Sequence, residues 1–216
     1  MEAFLKKILI ALFVFFSISH CFAKGQRDSL EVGIGYHNAM ESQNNLGSKD
    51  QRKMPSYAIN LTGVTFNTEK TGFGAYANFL FPQKITMTEM GQSFTVDRSD
   101  YDFLFGVDLL FGPVIMLYKG DSFCLPLSAG IHYMHLWANA PGGNSNTNSM
   151  GIGANLASEY HFNKTIYVYG RFQLSFDFYT WGKTEIDTEH GSKKESVSDS
   201  SATWGIQPCI GIGFTF

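Results

Sequence analysis

A strict alternation of large apolar residues with small or polar ones recurs along this chain and limits the folds open to it. Between positions 101 and 111, aromatic and aliphatic residues fill most odd positions, while Asp102, Gly106 and Asp108 lie between them. A period of two is the signature of a β-strand whose two faces meet different surroundings. The repeated pattern therefore predicts an all-β fold.

The alternating segments number eight, and polar stretches separate them. The predicted strands are 30–37, 56–66, 72–81, 101–111, 123–136, 149–160, 166–179 and 204–216. The longer connections are 39–54, 82–98, 138–148 and 180–203, and tight turns join the other strand pairs. An even strand count with long loops at one end and short turns at the other is typical of up-and-down antiparallel transmembrane β-barrels. Pro113 is expected to mark a bulge or a strand end, because it cannot donate a ladder hydrogen bond.

The sizes of the side chains on the two faces decide which face points outward. One face of the predicted strands is rich in glycine, and the other carries Phe, Tyr, Leu and Ile throughout. The interior of an eight-stranded barrel is only just wide enough for side chains, so the large residues should face lipid. The alternative is a soluble periplasmic lipocalin-like binder, in which the large residues would line a cavity.

Aromatic residues near the predicted strand ends resemble the two interfacial girdles of such barrels. The outer set is Tyr36, Tyr57, Phe81, Tyr101, Tyr133, Trp137, Tyr179 and Trp204, and the inner set includes Phe66, Phe73, Phe111, Phe123, Tyr160, Phe214 and Phe216. Charged residues are only 16% of the chain and the formal charge is −3. No polybasic surface is present, so nucleic acid is not expected as a partner.

The N-terminus has the features of a secretory signal peptide. Lys6 and Lys7 precede an apolar run at 8–18, which is too short to span a bilayer. Cleavage is expected between Ala23 and Lys24, which divides the chain into a signal peptide, 1–23, and a barrel domain, 24–216. A lipoprotein cut before Cys21 is the alternative, although His20 is large for that motif.

Two cysteines, Cys124 and Cys209, remain after signal cleavage. A cysteine pair in an exported protein can form a disulfide. The two lie on strands that are not neighbours in the predicted order, so such a bond would cross the lumen. Two buried thiols are the other interpretation.

The C-terminal segment carries a pattern that resembles the assembly signal of outer-membrane barrels. Gly211, Phe214 and the terminal Phe216 fill its glycine and aromatic positions, although Cys209 stands where a polar residue is usual. The mature chain as a whole is similar in topology and length to the small barrels of the outer-membrane protein A, X and W kind. This resemblance implies location in the bacterial outer membrane, surrounding lipid, and recognition by the barrel-assembly machinery.

Four charged residues are predicted to face the periplasmic half of the lumen. Arg171 is the cation among them, and Glu31, Asp108 and Glu159 are the acids. Charges in a closed, dry lumen must be paired, so Arg171 is expected to form an ion-pair network with at least one of the three acids. The alternatives are separately hydrated groups in a wet lumen and a conducting pathway.

A second polar group is predicted in the outer half of the lumen: His37, Asp102, His132 and Asp177. Some barrels are acyl-chain enzymes that use histidine with serine or aspartate, but here no serine carries a nucleophile motif. His132 and His135 are three apart, which places them on opposite faces of a strand. No catalytic residue, metal site or cofactor is therefore assigned.

The leading hypothesis is a structural or surface-interaction barrel with a closed, side-chain-filled lumen and polar loops that contact an extracellular ligand or a host surface. A second hypothesis follows from the resemblance to the protein W kind, namely passage of small hydrophobic molecules through the barrel wall. A lipid-modifying barrel enzyme that uses His37 or Asp102, and the soluble lipocalin-like binder, complete the set.

Overall fold

A computed structural model describes residues 27–45, 48–89, 91–188, 191–199 and 202–216. The predicted signal peptide, with Cys21 and the Ala23–Lys24 cleavage site, lies outside the described residues. The strands in the described part are β1 (Arg27–Asn45), β2 (Ser48–Phe66), β3 (Thr71–Pro82), β4 (Lys84–Glu89), β5 (Gln92–Asp97), β6 (Phe103–Lys119), β7 (Phe123–Ala140), β8 (Gly143–His161), β9 (Ile166–Thr188), β10 (Gly191–Asp199) and β11 (Ala202–Thr215). None of the described segments is a helix long and apolar enough to span a bilayer.

Eight of these strands form a closed antiparallel barrel. Neighbours follow the order β1, β11, β9, β8, β7, β6, β3, β2, and β2 pairs with β1 to complete the circle. The closing β1–β11 pairing reaches the end of the chain, where Asp28 and Phe216 exchange backbone hydrogen bonds of 3.3 and 3.0 Å. Closure leaves no strand of the barrel wall with an unpaired edge, which a bilayer requires. The predicted eight-stranded barrel is confirmed.

Three short turns join strands at one end of the barrel, termed the turn end. They lie between β2 and β3, between β6 and β7, and between β8 and β9. In the last of these turns, the Asn163 side-chain oxygen accepts the backbone N–H groups of Thr165 and Ile166, both at 2.8 Å. Such an Asx turn reverses the chain in few residues. Short turns are periplasmic in outer-membrane barrels, so the opposite, loop end faces the medium.

The long connections predicted at the loop end are mostly strand, and that part of the prediction is wrong. β1 and β2 remain paired up to Asn45 and Ser48, and β9 continues to Thr188 with β10 as its partner. Residues 82–98 hold a further hairpin, β4 and β5, of which β4 also pairs with β2. These extensions, 41–45, 48–53, 143–148 and 183–188 with β4, β5 and β10, are termed the collar.

Pro113 does not end a strand. β6 runs through it to Lys119, and Pro113 pairs with Phe73 of β3, whereas the ladder to β7 omits Gly112 and Pro113. Proline removes one donor, so it disturbs the ladder locally without ending the strand. The register shift lies farther on, between Met116 and Tyr118.

Side-chain exposure confirms which face points outward. Ile34, Ile131 and Ile210 are 66, 64 and 66% exposed, whereas lumen-facing Asp108 is fully buried. A belt of this kind would be costly in water and is stable in lipid. The lipocalin-like alternative, with large residues inside, is therefore wrong.

Two residues assigned to the aromatic girdles lie elsewhere. Phe66 faces the lumen and is 2% exposed, and Tyr101 precedes β6 and packs against apolar lumen residues. Outward-facing Tyr36 and Tyr57 do meet edge to face, with ring centroids 6.2 Å apart, at the outer edge of the belt. Closeness to a strand end therefore does not determine whether a side chain points to the lumen or to the exterior. That depends on whether the residue holds an odd or an even position in the strand.

Glycine on the inner face makes room for large lumen side chains. Gly213 lies directly beneath the Tyr167 ring, and a Cβ atom there would overlap the ring. Tyr167 is fully buried as a result and fills the space that Gly213 leaves. The lumen of this narrow barrel is thus packed by a few large residues set against glycines.

Candidate functional site

The candidate site is the lumen, and its centre is a network around Asp108 of β6. His132 of β7 lies between two carboxylates, with Nε2 2.9 Å from Asp108 Oδ2 and Nδ1 2.6 Å from Asp177 Oδ1. Because ionised carboxylates only accept hydrogen bonds, this geometry matches a doubly protonated, cationic imidazole. All three side chains are at most 1% exposed.

Neutral side chains complete this central network. Asn78 and Gln173 donate amide hydrogens to Asp108 Oδ1 at 2.8 and 2.9 Å. The Ser149 hydroxyl donates to Asp177 Oδ2 at 2.6 Å. His37 Nε2 lies 3.5 Å from Asp108 Oδ2. Asp108 is therefore the hub of the network, with donors approaching both of its oxygens.

The serine and the aspartates of this region are arranged differently from the sequence prediction. The Ser149 hydroxyl donates to the Asp177 carboxylate, which also contacts His132. Asp102 was predicted to face the lumen, but it is exposed and lies just before the start of β6. The alternation of the sequence begins at Tyr101, whereas the strand begins at Phe103. His132 and His135 do face opposite sides, as predicted.

Closer to the turn end, Arg171 of β9 forms an ion pair with Glu31 of β1. The Tyr167 hydroxyl donates to Glu31 Oε1 at 2.9 Å, and Arg171 Nη1 donates to the Thr62 hydroxyl at 2.6 Å. The guanidinium carbon also lies 4.9 Å from the Tyr76 ring centroid and 4.6 Å from that of Tyr169. Aromatic faces attract a cation that is shielded from water.

The three predicted acids do not share one network. Glu31 pairs with Arg171, Asp108 belongs to the central network, and Glu159 lies at the turn end. There Glu159 pairs with Arg27 at 2.6 Å, a cation that lies outside the predicted strands. The first strand was predicted to begin at Leu30. Arg27 and Glu31 both hold odd positions, so a strand that began at Arg27 would have placed this residue on the lumen face as well.

The cysteines are free thiols in different parts of the lumen. Cys124 lies near Glu159 at the turn end, and Cys209 packs with Tyr167 and Tyr169. The disulfide alternative is therefore wrong, because β7 and β11 are not neighbours in the barrel.

At the loop end, apolar side chains cover the central network. The cluster consists of Ala39, Met54, Ala58, Leu80, Ile85, Leu104, Met134, Leu136 and Ala138. Ile85 comes from β4 of the collar and is 1% exposed, so the hairpin closes over the lumen. Above this cluster, a cavity of about 280 Å³ opens between the collar strands, with Glu41, Arg52, Thr147 and Thr180 among its lining residues.

Two of the predicted assembly-signal residues face outward near the end of the chain. Phe214 and Phe216 are 41 and 77% exposed, and Gly211 lies on the lumen side of β11. Their recognition by the assembly machinery remains a prediction. The geometry leaves both aromatic rings on the exterior of the barrel, where another protein can reach them.

No protein-family model matches the sequence, and neither does any curated protein. Solved structures do match the fold. The outer-membrane protein OprG of Pseudomonas aeruginosa is 13% identical over 89% of this chain and 97% of its own, with a TM-score of 0.61. The outer-membrane protease OmpT of Escherichia coli is 8% identical over 89% and 98%, with a TM-score of 0.57. A major outer-membrane protein of Thermus thermophilus is 12% identical over 85% and 99%, with a TM-score of 0.53.

The closed barrel, its apolar belt and these likenesses agree on one class of protein. The chain has the fold of the small eight-stranded outer-membrane β-barrels, and its exterior requires lipid. Its fold and its apolar belt are those of an integral outer-membrane β-barrel protein.

Proposed function

We propose that this protein is a closed surface barrel that anchors a rigid β collar in the outer membrane and presents it to an extracellular ligand or a host surface. The barrel does no chemistry in this proposal, and it carries no solute. Outer-membrane lipid surrounds it, and the barrel-assembly machinery inserts it through the segment ending at Phe216.

The observation that carries this proposal is the paired and buried lumen. From the turn end upward, the described residues form the Arg27–Glu159 pair, the Arg171–Glu31 pair, the central network and the apolar cluster. Most side chains of these layers are nearly inaccessible to water, with Glu31 and Asp108 at 1 and 0% exposed, while Arg27 at the turn end is 17% exposed. A solute would have to separate several buried ion pairs, each of which is costly to break.

The collar supplies the part that faces the medium. Its strands extend beyond the apolar belt, and the cavity between them carries charges of both signs, including Glu41 and Arg52 with their charged atoms 3.9 Å apart. Loops and rims held by a rigid barrel are where binding residues commonly lie. A cavity of this size accepts only a small ligand or a single protruding side chain of a partner.

Solute permeation tests the closed lumen directly. Liposomes reconstituted with the wild-type protein should swell in glucose no faster than liposomes without protein, because no water-filled path crosses the layers. A general porin in the same lipid serves as the positive control. Swelling that rises in proportion to the amount of protein would contradict the proposal and favour the conducting alternative.

A second candidate, passage of small hydrophobic molecules through the wall, has one specific observation in its favour. The β1–β11 ladder has no pairs between Gly35–Cys209 and Asn38–Ile206, where β11 holds Pro208. An apolar groove of about 680 Å³ lies over the outer face of the wall at this place. Proline cannot donate a ladder bond, so the wall lacks a hydrogen bond beside that groove.

Uptake of the hydrophobic dye N-phenyl-1-naphthylamine by intact cells distinguishes the two candidates. Passage through the wall requires faster uptake in cells with the wild-type protein than in cells without it, and Pro208→Ala should reduce the gain by restoring a donor. Pro113→Ala is the matched control, since Pro113 is another outward-facing strand proline. The closed-barrel proposal expects no gain in any of these strains.

A further inference from the structure

A set of metal-ligating side chains lies at the turn end of the lumen. Cys124 of β7 is the register partner of Glu159 on β8, and His161 follows two residues later on the same face. The Cys124 sulfur, a Glu159 carboxylate oxygen and a His161 ring nitrogen all lie within 4.8 Å of one another. Neither transport nor surface contact uses these three groups.

A cation already occupies the point on which these ligands converge. Arg27 Nη2 lies 2.6 Å from Glu159 Oε2 and 3.3 Å from His161 Nε2. His161 Nε2 also lies 3.0 Å from Glu159 Oε2, so the guanidinium, the carboxylate and the imidazole meet at one point. The neutral imidazole with a free lone pair on this nitrogen is the form that ligates a metal.

We propose that Cys124, Glu159 and His161 form a Zn²⁺ site at the periplasmic end of the lumen, where Arg27 takes the place of the metal in the metal-free protein. A thiolate, an imidazole and a carboxylate are the three ligand types that zinc uses in proteins, and water can complete a four-coordinate site. The sulfur and nitrogen ligands argue against Ca²⁺ and Mg²⁺, which prefer oxygen.

The charge balance allows the exchange. With Arg27 in place, one guanidinium charge offsets the Glu159 carboxylate. With Zn²⁺ in place, two negative ligands, the carboxylate and the thiolate, offset the two charges of the ion. Binding therefore displaces Arg27 and releases the thiol proton, so the charge of the ion is balanced by its own ligands.

The surroundings support both steps. The Arg27 side chain is 17% exposed, so its guanidinium can turn outward into the periplasm while Glu159, at 3%, stays inside. Tyr167 stacks on the His161 ring, with centroids 4.6 Å apart and planes at 27°, and holds the imidazole in place. A fixed ring orientation is a usual feature around metal-ligating histidines.

Zinc binding is measured on the detergent-extracted protein without a histidine tag, in competition with a chromogenic chelator. Removing a ligand, as in Cys124→Ser or His161→Gln, should weaken binding about 100-fold or more, since even second-shell changes cost 10–100-fold. Arg27→Gln should strengthen binding about tenfold, because it removes the competing cation while leaving all three ligands. Cys209→Ser is the matched control and should leave the affinity unchanged.

Cobalt provides an independent readout. Co²⁺ bound to a thiolate absorbs through sulfur-to-metal charge transfer, so the wild type and Cys209→Ser should show this band and Cys124→Ser should not. Retained heat-modifiable migration on gels establishes that each variant is folded. The proposal is overturned if the wild type binds Zn²⁺ no better than Cys124→Ser, or if Cys209→Ser loses the cobalt band instead.

Discussion

Replacing Asp108 with alanine is expected to lower the free energy of unfolding by about 3–5 kcal/mol. Asp108 accepts hydrogen bonds from His132, Asn78 and Gln173 and is fully buried. Its removal takes away the acceptor of the Gln173 amide and the closer of two acceptors of the Asn78 amide, and it reduces the negative charge that balances the His132 imidazole. Unsatisfied buried groups and unbalanced buried charges are among the few mechanisms that make single substitutions this costly.

The measurement is denaturant unfolding in detergent micelles, followed by tryptophan fluorescence. Asp102→Ala is the matched control, because it removes the same group from an exposed position just before the same strand. The control should change stability by no more than about 0.5 kcal/mol. Asp108→Asn should lie between the two, since it keeps an acceptor oxygen and loses the charge.

The comparison also tests whether the lumen is dry. If the groups were separately hydrated, water would replace the lost contacts and Asp108→Ala would cost little more than Asp102→Ala. A large difference between the two variants would support paired charges in a water-excluded interior, which is the condition for a closed barrel.

The features that depend on the membrane were predictable from the sequence. Within the apolar belt, one face of each strand meets lipid and the other meets a narrow lumen, so the residues must alternate. The number of strands and the direction of their side chains therefore followed from a period of two. The collar strands lie beyond the belt, and most of them, such as 41–45, 48–53 and β10, carry mainly polar residues on both faces, so little alternation remains. Strand β4, with Ile85 and Met87, is an exception. Residues 180–203 therefore resembled a loop although most of their backbone is paired.

The partners within the lumen could not be predicted, because they depend on how far each strand is shifted along its neighbours. The odd or even position of a residue in a strand indicates the face on which Arg171, Glu31 and Asp108 lie, but not how far along the barrel axis each one lies. The register brings Arg171 to Glu31 and leaves Asp108 with His132, while Glu159 meets Arg27. Sequence pattern therefore finds the lumen residues, and only the closed barrel assigns their pairs.

The Arg171–Glu31 pair should show strong coupling in a double-mutant cycle. Arg171→Met alone leaves a buried carboxylate and Glu31→Gln alone leaves a buried guanidinium, so each should lower stability by about 3–5 kcal/mol. The double variant removes both charges, and glutamine still accepts from the Tyr167 hydroxyl. Its loss should therefore be smaller than the sum of the single losses by about 2–3 kcal/mol.

The Arg52–Glu41 pair of the collar provides the matched cycle, because its side chains are 26 and 23% exposed and its charged atoms are 3.9 Å apart. Water screens that pair, and its coupling should be about 0.2–1 kcal/mol. Equal coupling in the two cycles would mean that water reaches Arg171, and a wet lumen would follow. Strong coupling in the lumen alone would support a barrel whose interior ion pairs block the passage of solutes, so that contact with the medium falls to the collar.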